Sequence, residues 1–158
     1  VFADEIHNDF VFEPNKHTVF ANISEKAAQN CIVSTSASKT FNLAGLQFSI
    51  NFIKNPELKA RFKAEIDKTG YDEPSLMGLV ATEAAYTHGK AWLSALKKHL
   101  ASNLDFLRTF LAEKLPRVRL IEPEGTYLLW LDFSACGYSD DRTGAQQEFI
   151  PLHRTRDL

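Results

Sequence analysis

The segment Cys31-Ile-Val-Ser-Thr-Ser-Ala-Ser-Lys-Thr-Phe-Asn-Leu-Ala-Gly-Leu-Gln47 constrains the chain more than any other. A short apolar run, Cys31 to Val33, breaks into small hydroxyl residues at Ser34, Thr35, Ser36 and Ser38. One lysine follows, Lys39, and then turn-prone Asn42 and Gly45. Such a pattern reads as a buried strand whose carboxyl end opens at the rim of a sheet. In α/β sheets, ligands collect outside the carboxyl ends of the strands. A lysine at that rim can be partly desolvated, which favours the free amine that attacks a carbonyl. The hydroxyls beside it are natural donors to a phosphate. The same residues also describe a plain loop lysine among solvated serines.

The start of the chain, Val1-Phe-Ala-Asp-Glu-Ile-His-Asn-Asp9, repeats the pattern. An apolar run, read as a strand over 1–6, stops at charged residues, so Asp4 and His7 also lie where a buried strand opens onto a cleft. Taken alone, Asp4 reads as a strand-end turn residue and His7 as a satisfied polar side chain. Asp4, Glu5, His7 and Asp9 also have ligand chemistry suited to a metal. No matching His or Cys pair follows at metal-site spacing, so no metal is expected.

Together the two stretches resemble the pyridoxal-phosphate enzymes of the aspartate-aminotransferase type, the aminotransferase class I/II family of fold type I. The Asp4-Glu-Ile-His7 form resembles the cystathionine β-lyase (C–S lyase) branch. The resemblance implies that Asp4 binds the pyridine nitrogen and that His7 sits near the ring hydroxyl. It makes Ser36, in Ser36-Ala-Ser-Lys39, a phosphate ligand and Lys39 the Schiff-base lysine and catalytic base. The pairing is chemically coherent. The cofactor is an electron sink, deepest when its pyridine nitrogen stays protonated. A carboxylate holds that proton through a charge-assisted hydrogen bond worth roughly 1.5–3 kcal/mol.

The resemblance continues through Gly125-Thr-Tyr-Leu-Leu-Trp-Leu-Asp132. It implies an α/β fold: part of the transferase large domain, a mainly parallel sheet with helices, over residues 1–92. A long linking helix and the start of an α+β small domain follow over 93–143, and an irregular tail over 144–158. Other family parts would lie outside this stretch: a glycine-containing helix N-terminus for the phosphate, a ring-stacking aromatic, and an Asn to the ring hydroxyl. The Arg that binds the substrate carboxylate is also missing, since Arg154 and Arg156 sit in the wrong context. Gln47 stands eight residues after Lys39, where many members place a phosphate-binding Arg. That departure counts against an ordinary aminotransferase more than against cofactor binding. The tail from Gly144 fits no family segment.

The activity implied is cleavage of the C–S bond of cystathionine or a cysteine S-conjugate to pyruvate, ammonia and a thiol. Aminotransfer is the alternative, because it shares the steps up to loss of the Cα proton. Two readings from other classes stay open: a non-catalytic remnant, and an unrelated α/β binding domain. The partners implied are a small-molecule amino acid and, for a full-length enzyme, a second copy in a homodimer.

Composition narrows the setting. The net charge of −2 argues against nucleic acid as an electrostatic partner, and no apolar run is long enough to span a membrane. Cys31 in a strand and Cys136 in a polar loop give no disulfide framework, which fits a reducing cytoplasm. The first residue, Val1, falls inside a strand and the one methionine is Met77, so a piece of a longer polypeptide, inactive alone, is expected.

Along the chain, Asp9-Phe-Val-Phe12 alternates briefly, and Ser24 caps a short helix over 24–29. Period-two alternation predicts a third strand over 46–53. Leu58, Phe62 and Ile66 line one face of a helix over 57–68, with Pro56 in its first turn. A second helix, 74–87, lacks a charged face and is expected to be well buried. A third runs from Ala91 to Leu115 with leucines every three or four residues. Segments 118–121 and 126–132 read as strands.

Overall fold

The computed structural model describes residues 1–71 and 73–137. The tail from Gly144, with Arg154 and Arg156, lies outside the described residues. The first strand, β1 (Phe2–Asp4), runs parallel to β2 (Ile32–Thr35), with Phe2 opposite Ile32, Ala3 opposite Val33 and Asp4 opposite Ser34. The crossover contains α1 (Glu25–Gln29), whose entry is fixed by Ser24 accepting from Ala27 N at 3.1 Å. After β2 the chain enters a one-turn helix, α2 (Ala37–Thr40), then returns as β3 (Ile50–Phe52) antiparallel to β2. The order β1-β2-β3 therefore makes a mixed sheet of the described strands. A single helical turn does not carry the chain back along the sheet, which a parallel return requires.

The third strand is shorter than its alternation predicts. Residues 44–46 form a 3-10 turn, and Gln47 takes the left-handed region at φ 50°. Phe48 then turns toward the next layer, where a Cβ on Gly78 would stand 2.9 Å from Phe48 Cβ. The apolar residues of 46–49 are thus pieces of a loop packed under a helix.

That helix follows α3 (Pro56–Thr69), which Asn55 caps from two backbone amides and Gly70 closes at φ 66°. Next come α4 (Leu76–His88) and the 25-residue α5 (Lys90–Lys114), buried through Leu104 and Leu111. The expectation that α4 is well buried is corrected: Gly78 and Thr82 are covered, but Leu76 is 71 % exposed and Val80 52 %. A helix apolar all round needs neighbours all round, and the described elements supply them on one side only. Beyond α5, β4 (Arg119–Ile121) and β5 (Trp130–Asp132) pair as an antiparallel hairpin. The expected strand 126–132 is shortened because Thr126 sits at φ 67°, a turn conformation costly for a β-branched residue.

Candidate functional site

Parallel pairing puts the carboxyl ends of β1 and β2 at the same edge of the sheet. Asp4 ends one strand and accepts from Ile6 N at 3.2 Å through Oδ1, which turns the chain into the loop bearing His7. Past the end of the other, Ser36 caps α2 and Lys39 occupies its third position. Two hydroxyls stitch the corner together. Thr35 Oγ1 donates to Glu5 O at 3.5 Å, and Thr40 Oγ1 donates to Asp9 Oδ2 at 2.7 Å.

Lys39 lies on a helical turn and is exposed. The desolvation anticipated for a lysine at a strand mouth is therefore not supplied by the residues around it. Ser36 is 5 % exposed and its hydroxyl is engaged twice. It accepts from Ser38 N at 3.0 Å and donates its proton to Phe48 O at 2.6 Å. A phosphate drawing on Ser36 would have to take that proton from the Phe48 carbonyl.

His7 is half-buried between Phe10 (ring centroids 6.4 Å apart) and Tyr127 (5.5 Å). Its Nδ1 is buried without a hydrogen-bond partner among the described residues. Tyr127 is held there by a close backbone crossing, in which Thr126 N donates to Phe10 O at 2.6 Å and Phe12 N to Glu124 O at 2.9 Å. Below this loop Glu5 is buried, with Oε1 accepting from Phe20 N and Oε2 standing 2.8 Å from His17 Nε2.

Asp4, His7, Lys16 and Thr126 line an open cavity of about 330 Å³. Ser36 and Lys39 are not among its walls; they lie past the end of β2, on α2. A larger hollow of about 1400 Å³ lies between β3, α3 and the start of α4, and of Asp4, His7, Ser36, Lys39 and Gln47 only Gln47 lines it. Size alone does not mark chemistry, and the smaller cavity is the one lined by His7. Among the described residues no group of three or more His, Cys, Asp or Glu is gathered as a metal site.

Sequence reasoning missed Tyr127, Tyr86 and the Asp9–Thr40 pair. The phenol of Tyr86 is pushed up first by burial and next by the charge of Asp9, offset by a hydrogen bond with Thr35. The available signal was adjacency: Asp9 is two residues past His7, and Thr40 directly follows Lys39.

Comparison with known proteins gives relatives over most of this chain. Cystathionine beta-lyase PatB of Bacillus subtilis (strain 168) is 39 % identical over 140 residues, 89 % of this chain and 36 % of that protein. Cystathionine beta-lyase of Corynebacterium glutamicum is 40 % identical over 134 residues, 85 % of this chain and 35 % of that protein. Among solved structures, cystalysin from Treponema denticola, which contains a pyridoxal 5'-phosphate cofactor, superposes with a TM-score of 0.83 at 36 % identity. That superposition covers 87 % of this chain and 35 % of cystalysin. The chain thus spans about a third of the length of the curated relatives it matches, and it has the fold of the corresponding part of the fold-type-I transferases. The model of the family "Aminotransferase class I and II" matches residues 1–150, past Gly144, where the sequence reading placed the departure from the family. With that match over nearly its whole length, the chain belongs to the class I and II aminotransferase family.

Proposed function

We propose that this chain carries the lysine-bearing part of a pyridoxal-phosphate enzyme that cleaves the C–S bond of cystathionine or a cysteine S-conjugate to pyruvate, ammonia and a thiol. The carrying observation is the common edge shared by Asp4 and Lys39, which follows from the parallel register of β1 and β2. The lyase names of the relatives support the reaction type.

The residues present fit the ring end of the cofactor. Asp4 offers an anionic acceptor, and a carboxylate keeps capacity beyond its one bond to Ile6 N. His7 offers a buried nitrogen that lacks a partner, a group that a polar ring substituent would satisfy. Ser36 fits the phosphate only by exchanging Phe48 O for it.

When bound, pyridoxal phosphate supplies an aldehyde that condenses with an amine and a sink for the electrons released at Cα. Asp4 would hold the proton at the pyridine nitrogen. Lys39 would be the covalent partner and, once its amine is free, the base that removes the Cα proton. His7, fixed between Phe10 and Tyr127, would orient the ring through Nδ1. The same Lys39 returning its proton to the cofactor instead would give aminotransfer, the second reading, which the family's own description favours.

On this reading residues 1–92 belong to the cofactor-binding large domain, and 93–143 to the linking helix and the start of the small domain. The enzyme is a cytoplasmic homodimer acting on a small-molecule amino acid. No described helix is long and apolar enough to cross a membrane.

The test is the purified full-length enzyme that contains this chain, with pyridoxal phosphate and cystathionine, followed by pyruvate release and by borohydride trapping of the cofactor on a lysine. Trapping at Lys39 with pyruvate release, both lost in Lys39→Ala, is expected. Trapping at another lysine, or wild-type turnover by Lys39→Ala, would refute the assignment. A keto acid that keeps its sulfur would move it to aminotransfer.

A further inference from the structure

We propose that Asp9 is a positioning residue for Lys39, acting through the hydroxyl of Thr40. The inference rests on the reading of Lys39 as the reactive amine and adds to it the device that fixes where that amine stands.

Three observations carry it. First, α2 is a single turn, and one turn of helix has little stability of its own. The position of Lys39 is therefore set by what anchors the two ends of that turn. Ser36 anchors the first end, accepting from Ser38 N and donating to Phe48 O. Thr40 is at the last end and is fully buried, at 0 % exposure.

Second, the Thr40 hydroxyl bonds outside its own segment. A helical threonine commonly returns its hydroxyl to a carbonyl of the preceding turn. Here Oγ1 reaches Asp9 Oδ2 at 2.7 Å, across 31 residues of sequence. A hydrogen bond to an ionised acceptor is stronger than a neutral one. Asp9 follows His7 by two residues on the same loop, so this bond couples the site of His7 directly to the turn that carries Lys39.

Third, the far end of α2 is also held from another layer, beside the Tyr86 phenol of α4, which burial and next the charge of Asp9 push up and which Thr35 of β2 hydrogen-bonds. Phe41, next after Thr40, packs its ring against Tyr86 at 5.8 Å and against Trp92 of α5 at 5.7 Å. The end of α2 is therefore gripped by a carboxylate on one side and by aromatic rings on the other. Lys39, exposed beside it, has no ion pair of its own among the described residues.

The experiment measures lysine reactivity rather than turnover. The purified full-length enzyme that contains this chain is exposed to pyridoxal phosphate, reduced with borohydride at timed intervals, and the labelled lysines are quantified by peptide mass spectrometry. Exposed Lys63 and Lys68 serve as internal references.

Thr40→Val, which keeps the shape but removes the hydroxyl, and Asp9→Ala should each slow labelling of Lys39 roughly tenfold relative to those references. Thr40→Ser, which keeps the donor, should restore it. The pH midpoint of the lysine adduct's absorbance should move in Thr40→Val and stay at the wild-type value in Thr40→Ser. A purely structural role would lower the melting temperature and leave the ratio of Lys39 to reference labelling unchanged.

If Asp9→Ala does not fold, Asp9→Asn takes its place: its amide oxygen still accepts from Thr40 but without the charge, so labelling of Lys39 should fall between wild type and Thr40→Val. A wild-type Lys39 ratio in Thr40→Val overturns the inference, as does failure of Thr40→Ser to restore the ratio. Wild-type labelling no faster at Lys39 than at Lys63 is a different result, one that overturns the enzyme reading and this inference together.

Discussion

Gly125 is where the loop bearing His7 crosses the turn bearing Tyr127, and Gly125→Ala tests whether that crossing holds the site. A Cβ built there would lie 2.4 Å from Phe10 O and 3.3 Å from both Phe10 C and Val11 Cα. All three are backbone atoms, so no side-chain rotamer relieves the overlap. The chain has two ways out. It can keep the crossing and absorb the overlap, which for an overpacked site costs roughly 1–3 kcal/mol. Otherwise it can swing the strands apart and lose the Thr126 N–Phe10 O and Phe12 N–Glu124 O hydrogen bonds. At about 0.5–1.5 kcal/mol each, those two bonds amount to a similar sum. Either route therefore predicts a loss of about 1–3 kcal/mol, with the melting temperature falling about 2–4 °C per kcal/mol in a chain of this size. Circular dichroism through a thermal ramp reads it. Gly45→Ala is the control, since nothing lies within 4 Å of its Cβ position, and it should stay within about 0.5 kcal/mol of wild type. Equal melting temperatures for Gly125→Ala and wild type would show that the crossing does not stabilise the fold. Equal damage from Gly45→Ala would show that the overlap is not the cause.

The β4–β5 hairpin should loosen in acid. The Asp132 carboxyl is held below its ordinary 3.8 by the Ser134 backbone N–H and hydroxyl and then by Arg119, and Glu122 is held below 4.5 by Arg108. Since both values are depressed on folding, the stabilisation is complete above the ordinary carboxylate range and is lost as pH falls below it through the lowered values. Hydrogen exchange of amides 119–132 should accelerate there, and exchange that stays flat through that range would contradict the assignment. Separately, the bare face of α4 (Leu76, Met77, Leu79, Val80) and the open edge of β1 predict self-association on size-exclusion chromatography. Leu76→Lys with Val80→Lys should shift the elution toward monomer; a wild-type chain that already elutes as a sharp monomer would refute this.

The sequence alone determined what short-range chemistry settles. Helix ends were legible because capping acts within one turn: Ser24 before α1 and Pro56 in the first turn of α3. A strand end was legible at Thr35, where an apolar run gives way to polar residues, whereas the strand expected over 1–6 ends at Asp4; the family resemblance named Asp4, His7, Ser36 and Lys39 as candidates. The tertiary structure alone decided how those pieces meet. The antiparallel return of β3, the exposed face of α4 and the Ser36 proton given to Phe48 each depend on partners that lie many residues away in the chain. So do the ring of Tyr127 against His7 and the 31-residue reach from Thr40 to Asp9. A residue's own type fixes what bonds it can make, but which atom receives them is fixed by strand pairing and layer packing, and these join segments that no local pattern relates.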